Sequence, residues 1–409
     1  MTNVYGFNYD QKINKQLSTT PNGVLYANID NPTSTFGDLR VAELTPKAQL
    51  TFPYNYINTD IVTTGESNGG SSFTADSMIG ICTGLATAGA AYFESREVVK
   101  YQAGMGGMTR FTCIFTDGVA DSEQLVGVGD DEDGFFFGYN GGTFGTMRLD
   151  NSISTWAAQS DWNLDTFDGS GSGNPSGITL DTSKINVYQI AYQWLGGGKI
   201  QYSIENPTTG LLTPVNQIAY ANSNTTPSIR NPNLPLTGRV RNLGNNSSVE
   251  IKVPCMGGFV EGKSVISGPT FNYGKSLDNT TSFFHLKNET EFKGIKNRVR
   301  TYLRILSVSN ESNTQTDTAT IAIYKNLNFA SAPSWSDISD NSVMKYNAIT
   351  VPTIDSGKII YRIVIPHTSG KTVNLDTLNL FMIPGDTITV YMTGSGNNVP
   401  TYLTWMEDF

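Results

Sequence analysis

Between Met108 and Asn163 apolar and polar residues alternate in short runs, TRFTCIF, QLVGVG, GFFFGYN, TFGTMRL and STWAAQ, set apart by Gly, Asn and Asp. A period of two puts one side of each run in a core and the other in water, the pattern of antiparallel strands. The same alternation predicts strands upstream at Leu39–Glu43, Ala48–Phe52, Ser77–Ile81, Ala90–Tyr92 and Arg96–Tyr101. Downstream it predicts Asn186–Leu195, Lys199–Ile204, Ile218–Ala221, Gly238–Asn242 and Glu250–Val260. Gly196-Gly197-Gly198 marks a hairpin between the first two of these. Helix signals are weak, because Gly80, Gly84 and Gly89 interrupt the one stretch rich in small residues.

The pattern changes after Gly262. Residues 263–281 are mostly polar and contain Gly-Pro, so they read as a linker or a strand exchange. A second alternating array fills 282–409, with Arg298–Val308, Ala319–Lys325, Lys358–Pro366, Leu375–Met382, Thr387–Thr393 and Thr401–Trp405 as strands. Arg298–Val308 needs one bulge to keep its apolar residues on one face, and Pro384-Gly385-Asp386 is a turn between two strands. The fold class is therefore all-β: a sandwich at 38–262 and a smaller jelly-roll-like sandwich at 282–409. Residues 1–37 lack a period but carry Tyr5, Phe7, Tyr9, Leu25 and Tyr26, the mark of an extended arm that docks on a partner.

Composition restricts function. Charged residues make up 15% of the 409, so Asn, Ser, Thr and Gly supply solubility, as on secreted and virion proteins. A formal charge of −9 without clustered Lys and Arg argues against a nucleic-acid partner. No apolar run approaches the roughly 18 residues of a membrane span, and the first residues lack the apolar core of a signal peptide. Cys82, Cys113 and Cys255 are too scattered for a disulfide framework or a zinc site. The Asn-X-Ser/Thr triplets are expected by chance in a chain of this composition.

Little points to catalysis. The two histidines, His285 and His367, read as surface or rim residues, and no nucleophile elbow, phosphate loop or zinc-protease motif occurs. Asp117, Asp121, Glu123, Asp161 and Asp165 are acids from which a glycosidase pair could be drawn. The acidic loop is the more distinctive cluster. Asp130, Asp131 and Asp133, with Glu132 between them, would repel one another unless solvated or neutralised by a cation, and calcium accepts such oxygen ligands. Tyr139, Phe144, Trp156 and Trp162 lie near turns, where their rings either stack on sugars or pack in a core and a subunit interface.

The order TRFTCIF, QLVGVGDDEDGFFFGYNG, TFGTMRL, TWAAQSDWN, VYQIAYQWLGGGKIQYSIENPTTG resembles concanavalin-A-like and laminin-G-like sandwiches. FGDLRVAELTPKAQLTFPYN and the C-terminal TYLTWMEDF resemble virion structural proteins of tailed phages and large DNA viruses. The resemblance implies a lectin-like sandwich at 38–262. It also implies a non-enzymatic fibre, spike or decoration subunit on the particle exterior, held to capsid or tail proteins through its arm. A homotrimer that contacts host-surface glycans is the expected form, with calcium as the one candidate cofactor. A glycan-degrading virion depolymerase and a soluble lectin are the alternatives.

Overall fold

The computed structural model describes residues 5–8, 13–16, 18–19, 25–26, 42–193, 195–263, 265–278, 282–395 and 398–409. The chain divides into two compact units, Met1–Glu43 and Leu44–Phe409. In the first unit Tyr5–Asn8 pairs with Ile13–Gln16, and Ser18–Thr19 with Leu25–Tyr26. Most of the expected docking arm and of the predicted strand Leu39–Glu43, and all of Trp194, lie outside the described residues.

Leu44–Phe409 is all-β, with only single-turn 3-10 helices among its described residues. No described helix is long and apolar enough to cross a membrane. Two antiparallel sheets make the N-terminal sandwich. One runs, in spatial order, Ile153–Ala158, Thr143–Asp150, Gly134–Asn140, Ser122–Gly129, Leu234–Asn242, Ala90–Val99 and Val62–Ser67. The other begins Leu212–Ile218, Ile200–Glu205, Asn186–Tyr192, Gly106–Phe115. There it divides: Cys255–Glu261 and Leu44–Thr51 form one branch, and Glu250–Val253, Met78–Cys82 and Ser71–Ala75 the other. The predicted single strand Glu250–Val260 is thus two. Pro254 lies between them; having no N–H it cannot donate to a ladder, and although both halves pair with Gly106–Phe115 they have different neighbours on the far side.

Alternation in sequence becomes alternation in burial. Phe111, Cys113, Phe115, Val126, Val128, Phe135, Phe137, Tyr188, Ile190 and Tyr202 meet between the sheets. Their rings interlock, with Phe111 stacked on Tyr188 at 5.4 Å and Phe137 edge-on to Tyr202 at 5.4 Å. Phe136, between two inward phenylalanines, faces outward and is still fully buried. Leu125, Met147, Leu149 and Trp156 pack around it, and the Arg239 guanidinium lies 5.3 Å over its ring.

The C-terminal sandwich has its own core around Phe284, Leu303, Leu306, Ile321, Val390 and Trp405. One sheet runs Thr270–Leu277, Val399–Asp408, Arg300–Asn310, Ser369–Asn374. The other runs Ser336–Asp337, Met344–Asn347, Phe283–Asn288, Thr387–Gly394, Thr318–Lys325, Lys358–Pro366. A register shift between Leu303 and Ile305 turns Leu303 and Leu306 both inward and leaves Ile305 exposed. The stretch read as a linker, 263–281, contains the edge strand Thr270–Leu277. Phe271 and Tyr273 pack against the core and Leu277 is buried in it, although most residues around them are polar. His285, read as a surface residue, is fully buried, because the segment carrying Phe329 and Thr350 covers the outer face of its strand.

Candidate functional site

The acidic loop joins Ser122–Gly129 to Gly134–Asn140. Its three aspartates diverge. Asp130 Oδ1 closes the turn by accepting from the Glu132 and Asp133 amides at 2.8 and 2.9 Å, and its Oδ2 is bound by Arg298. Asp133 accepts from the backbone N–H groups of Arg230 and Asn231 at 3.0 and 3.2 Å and of Asn151 at 3.3 Å. Asp131 is exposed, 3.5 Å from Lys296 Nζ. Among the described residues no three His, Cys, Asp or Glu side chains converge as a metal site requires. The calcium site expected on Asp130, Asp131 and Asp133 does not fit this geometry: one carboxylate faces a guanidinium, one faces amides and one faces solvent.

The neutralising charge comes from the other sandwich. Lys296, Arg298 and Arg300 alternate along one segment and meet a row of acids. Arg298 Nη2 lies 3.1 Å from Glu94 as well as against Asp130; Lys296 Nζ lies 3.4 Å from Asp130; Arg300 Nη2 lies 3.3 Å from Glu97. Burial alone would raise the Asp130 carboxyl, but Arg298, the loop amides and Lys296 together hold it below its ordinary value. Asp133 has no such cation, and burial outweighs its amide donors and pushes it up. Nearby, Asp386 is fully buried with Arg96 Nη2 at 2.6 Å and Lys325 Nζ at 2.8 Å, one from each sandwich. Here too burial opposes the charge, and Lys325 and Arg96 win, so the carboxyl stays low. Lys100 binds Asp408 across the same junction. The period-two spacing of Lys296, Arg298 and Arg300 was the available sequence signal for this junction; nothing local named its acidic partners.

The four candidate sugar-stacking aromatics are placed apart. Phe144 and Trp162 are buried in the N-terminal core, edge-on to one another at 6.2 Å. Tyr139 packs its ring on Phe115 and Phe144, and its hydroxyl lies 2.8 Å from that of Thr182. Trp156 covers the outer cluster around Phe136. These rings are committed to packing.

A cleft of about 450 Å³ opens instead between the two sheets, where Ile153–Ala158 and Leu212–Ile218 are the edge strands. Its lining includes Arg148, Thr155, Asp161, Asn163, Asn216 and Tyr220. On Thr143–Asp150 the inward positions pass from Phe144 in the core to Thr146 and Arg148, so the sandwich interior becomes polar towards this mouth. Polar bonds span the two sheets: Asn216 Nδ2 donates to Thr146 Oγ1 at 2.8 Å and Tyr202 donates to the Met147 carbonyl at 2.9 Å. Asn163 pairs with both backbone groups of Gln217, at 2.8 and 3.0 Å. Arg148 donates to the Ser228 carbonyl at 2.9 Å and lies 5.2 Å over the Tyr220 ring. Of the acids considered for a glycosidase, Asp161 lines this cleft, whereas Glu123 is paired with Arg239 and Asp165 accepts from the Phe167 and Ser176 amides.

No protein-family model and no curated protein matches the chain in sequence. Among solved structures it is similar to peanut lectin, at 8% identity over 54% of this chain and 100% of that one, with a TM-score of 0.35. It is similar to the VIP36 exoplasmic/lumenal domain in a Ca2+/Man3GlcNAc-bound form, at 13% identity over 56% and 93% of the two chains, TM-score 0.33. A third similarity is to the Crh5 transglycosylase, at 11% identity over 54% and 90%, TM-score 0.34.

Proposed function

We propose that this chain is a non-enzymatic virion structural protein whose N-terminal sandwich binds host-surface glycans in the cleft between its edge strands. The observation that carries the reading is the cleft itself. It brings hydroxyl, amide, carboxylate and guanidinium groups together, the mixture of donors and acceptors that holds a polyhydroxylated ligand. Among the described residues its carboxylate lining is Asp161 alone, whereas hydrolysis of a glycosidic bond uses two facing carboxyl groups. That favours binding over depolymerisation. The sequence resemblance supports the particle exterior as its place, with residues 1–37 meeting capsid or tail proteins. Edge strand Lys358–Pro366 exposes Ile359 and Val364, which a homotrimer would cover.

Calorimetric titration of the full chain against oligosaccharides, with product analysis of the same mixtures, tests the reading. Saturable binding without chain shortening is the expected result. Shortening that disappears in Asp161→Asn would replace it with a depolymerase. Light scattering checks the trimer, and mass spectrometry of nuclease-treated, gradient-purified particles checks the location.

A further inference from the structure

Among the described residues Arg148 is the one cation of the cleft lining, and its charge is unanswered. It is half-buried, and among the described residues it makes no ion pair. Its described partners are the Ser228 carbonyl, the Tyr220 hydroxyl at 3.3 Å and the Thr155 hydroxyl at 3.4 Å, all neutral. Among the described arginines this is unusual. With a formal charge of −9 the chain has acids in excess, and the other partly buried arginines, among them Arg96, Arg239, Arg298 and Arg300, each meet a carboxylate. A half-buried guanidinium whose partners are all neutral favours a counter-charge beside it. The three neutral partners hold the group in place by Nη1 and one edge of Nη2, so the guanidinium keeps donor capacity for a further acceptor.

We infer that the cleft takes an acidic saccharide, a uronate-type sugar whose carboxylate docks on Arg148. The inference rests on the glycan reading of the same cleft and narrows its ligand class. A planar carboxylate matches the guanidinium fork through two parallel hydrogen bonds; a sulfate ester offers the same charge with different geometry. Asp161 also lines the cleft and is exposed, so it opposes an anionic ligand weakly.

The test titrates the full chain with oligogalacturonate, with its neutral galactose counterpart and with a sulfated galactan oligosaccharide of the same length. Oligogalacturonate should bind at least tenfold more tightly than the neutral chain and more tightly than the sulfated one. Arg148→Gln should remove that preference, and Arg148→Lys should restore only part of it. Because Arg148 also holds the Ser228 loop, Asp161→Asn is the control that leaves the fold alone, and it should strengthen oligogalacturonate binding severalfold. Equal binding of acidic and neutral chains, unchanged in Arg148→Gln, would overturn the acidic ligand and leave the glycan reading standing. A stronger response to the sulfated chain would overturn the carboxylate. Absence of binding to all three, together with a flat response to neutral glycans of other compositions, would remove both readings.

Discussion

His285 is held between the rings of Phe283 and Phe329, with Nε2 2.9 Å from the Thr350 carbonyl and Nδ1 2.8 Å from the Thr389 hydroxyl. The carbonyl only accepts, so Nε2 carries the proton and Nδ1 accepts from Thr389. Burial pushes the imidazole down to about 4, against a weaker upward pull from Thr350. The unfolded chain takes up this proton near pH 6.5, so between there and pH 4 it binds more protons than the fold does. Stability therefore falls as the pH falls through that window, by about 3 kcal/mol in all. Urea unfolding from pH 7.5 to 4 should show that slope, and His285→Gln should lack it. Asp386 behaves differently: its folded carboxyl lies below the unfolded value, so its contribution is complete at neutral pH and disappears only under more acid conditions, as the pH drops through the folded value. Asp386→Ala leaves Arg96 and Lys325 facing an empty site and should cost about 3–5 kcal/mol at pH 7. The turn at Pro384-Gly385-Asp386 was legible from its residue types. The inward aim of its carboxylate was not, because Arg96 stands 290 positions away.

At the scale of the strand and its turns, the acidic loop acts as a fastener. The two-residue turn Asn151–Ser152 has positive φ at both positions, 49° and 64°, and lies against the loop. Ser152 donates its amide to the Glu132 carbonyl at 2.8 Å and its hydroxyl to the Asp131 carbonyl at 3.2 Å, while Asp133 gathers the three amides described above. Asp133→Ala strands those amides and should lower stability by roughly 1–3 kcal/mol in chemical denaturation. Millimolar calcium or a chelator should leave the wild-type melting temperature unchanged; a rise with calcium would restore a metal to this loop. The neighbouring strand Gly134–Asn140 has a second constraint. A Cβ on Gly138 would come within 1.8 Å of the Gln124 carbonyl oxygen, so Gly138→Ala must push two paired strands apart. A cost of about 1–3 kcal/mol is expected in the same measurement. Alternation made these strands readable. It could not tell that Phe136 has a second covering layer, because Arg239 and Trp156 come from other strands. It also missed Thr270–Leu277, whose three core side chains are diluted by Asn, Gly, Lys and Ser. The cleft was invisible for a related reason: Arg148 and Asn216 look like ordinary polar positions until the sheets bring them face to face.

Across the whole of Leu44–Phe409, the junction between the sandwiches rests heavily on charge. Its exposed contact, Lys358 with Asp60 at 3.6 Å, contributes little, since solvated pairs are weak and salt screens them. The pairs around Arg298, Asp130, Arg96 and Asp386 are largely removed from water, so salt reaches them poorly and the loss of one partner is severe. Each sandwich has its own core, and these ion pairs join the two. The junction therefore decides whether the two unfold together. Calorimetry of the wild type should give one transition, and 1 M salt should move it without splitting it. Arg298→Ala leaves Asp130 and Glu94 as neighbouring acids with Lys296 as their remaining described ion-pair partner, so the penalty falls on the docked state and not on either core. The variant should show two separated transitions, while Lys358→Ala should keep one. A single shifted transition in Arg298→Ala would mean that the coupling lies in packing elsewhere along the junction. Two transitions already present in the wild type would mean that these ion pairs hold geometry without cooperativity, leaving the cleft-bearing sandwich free to unfold by itself.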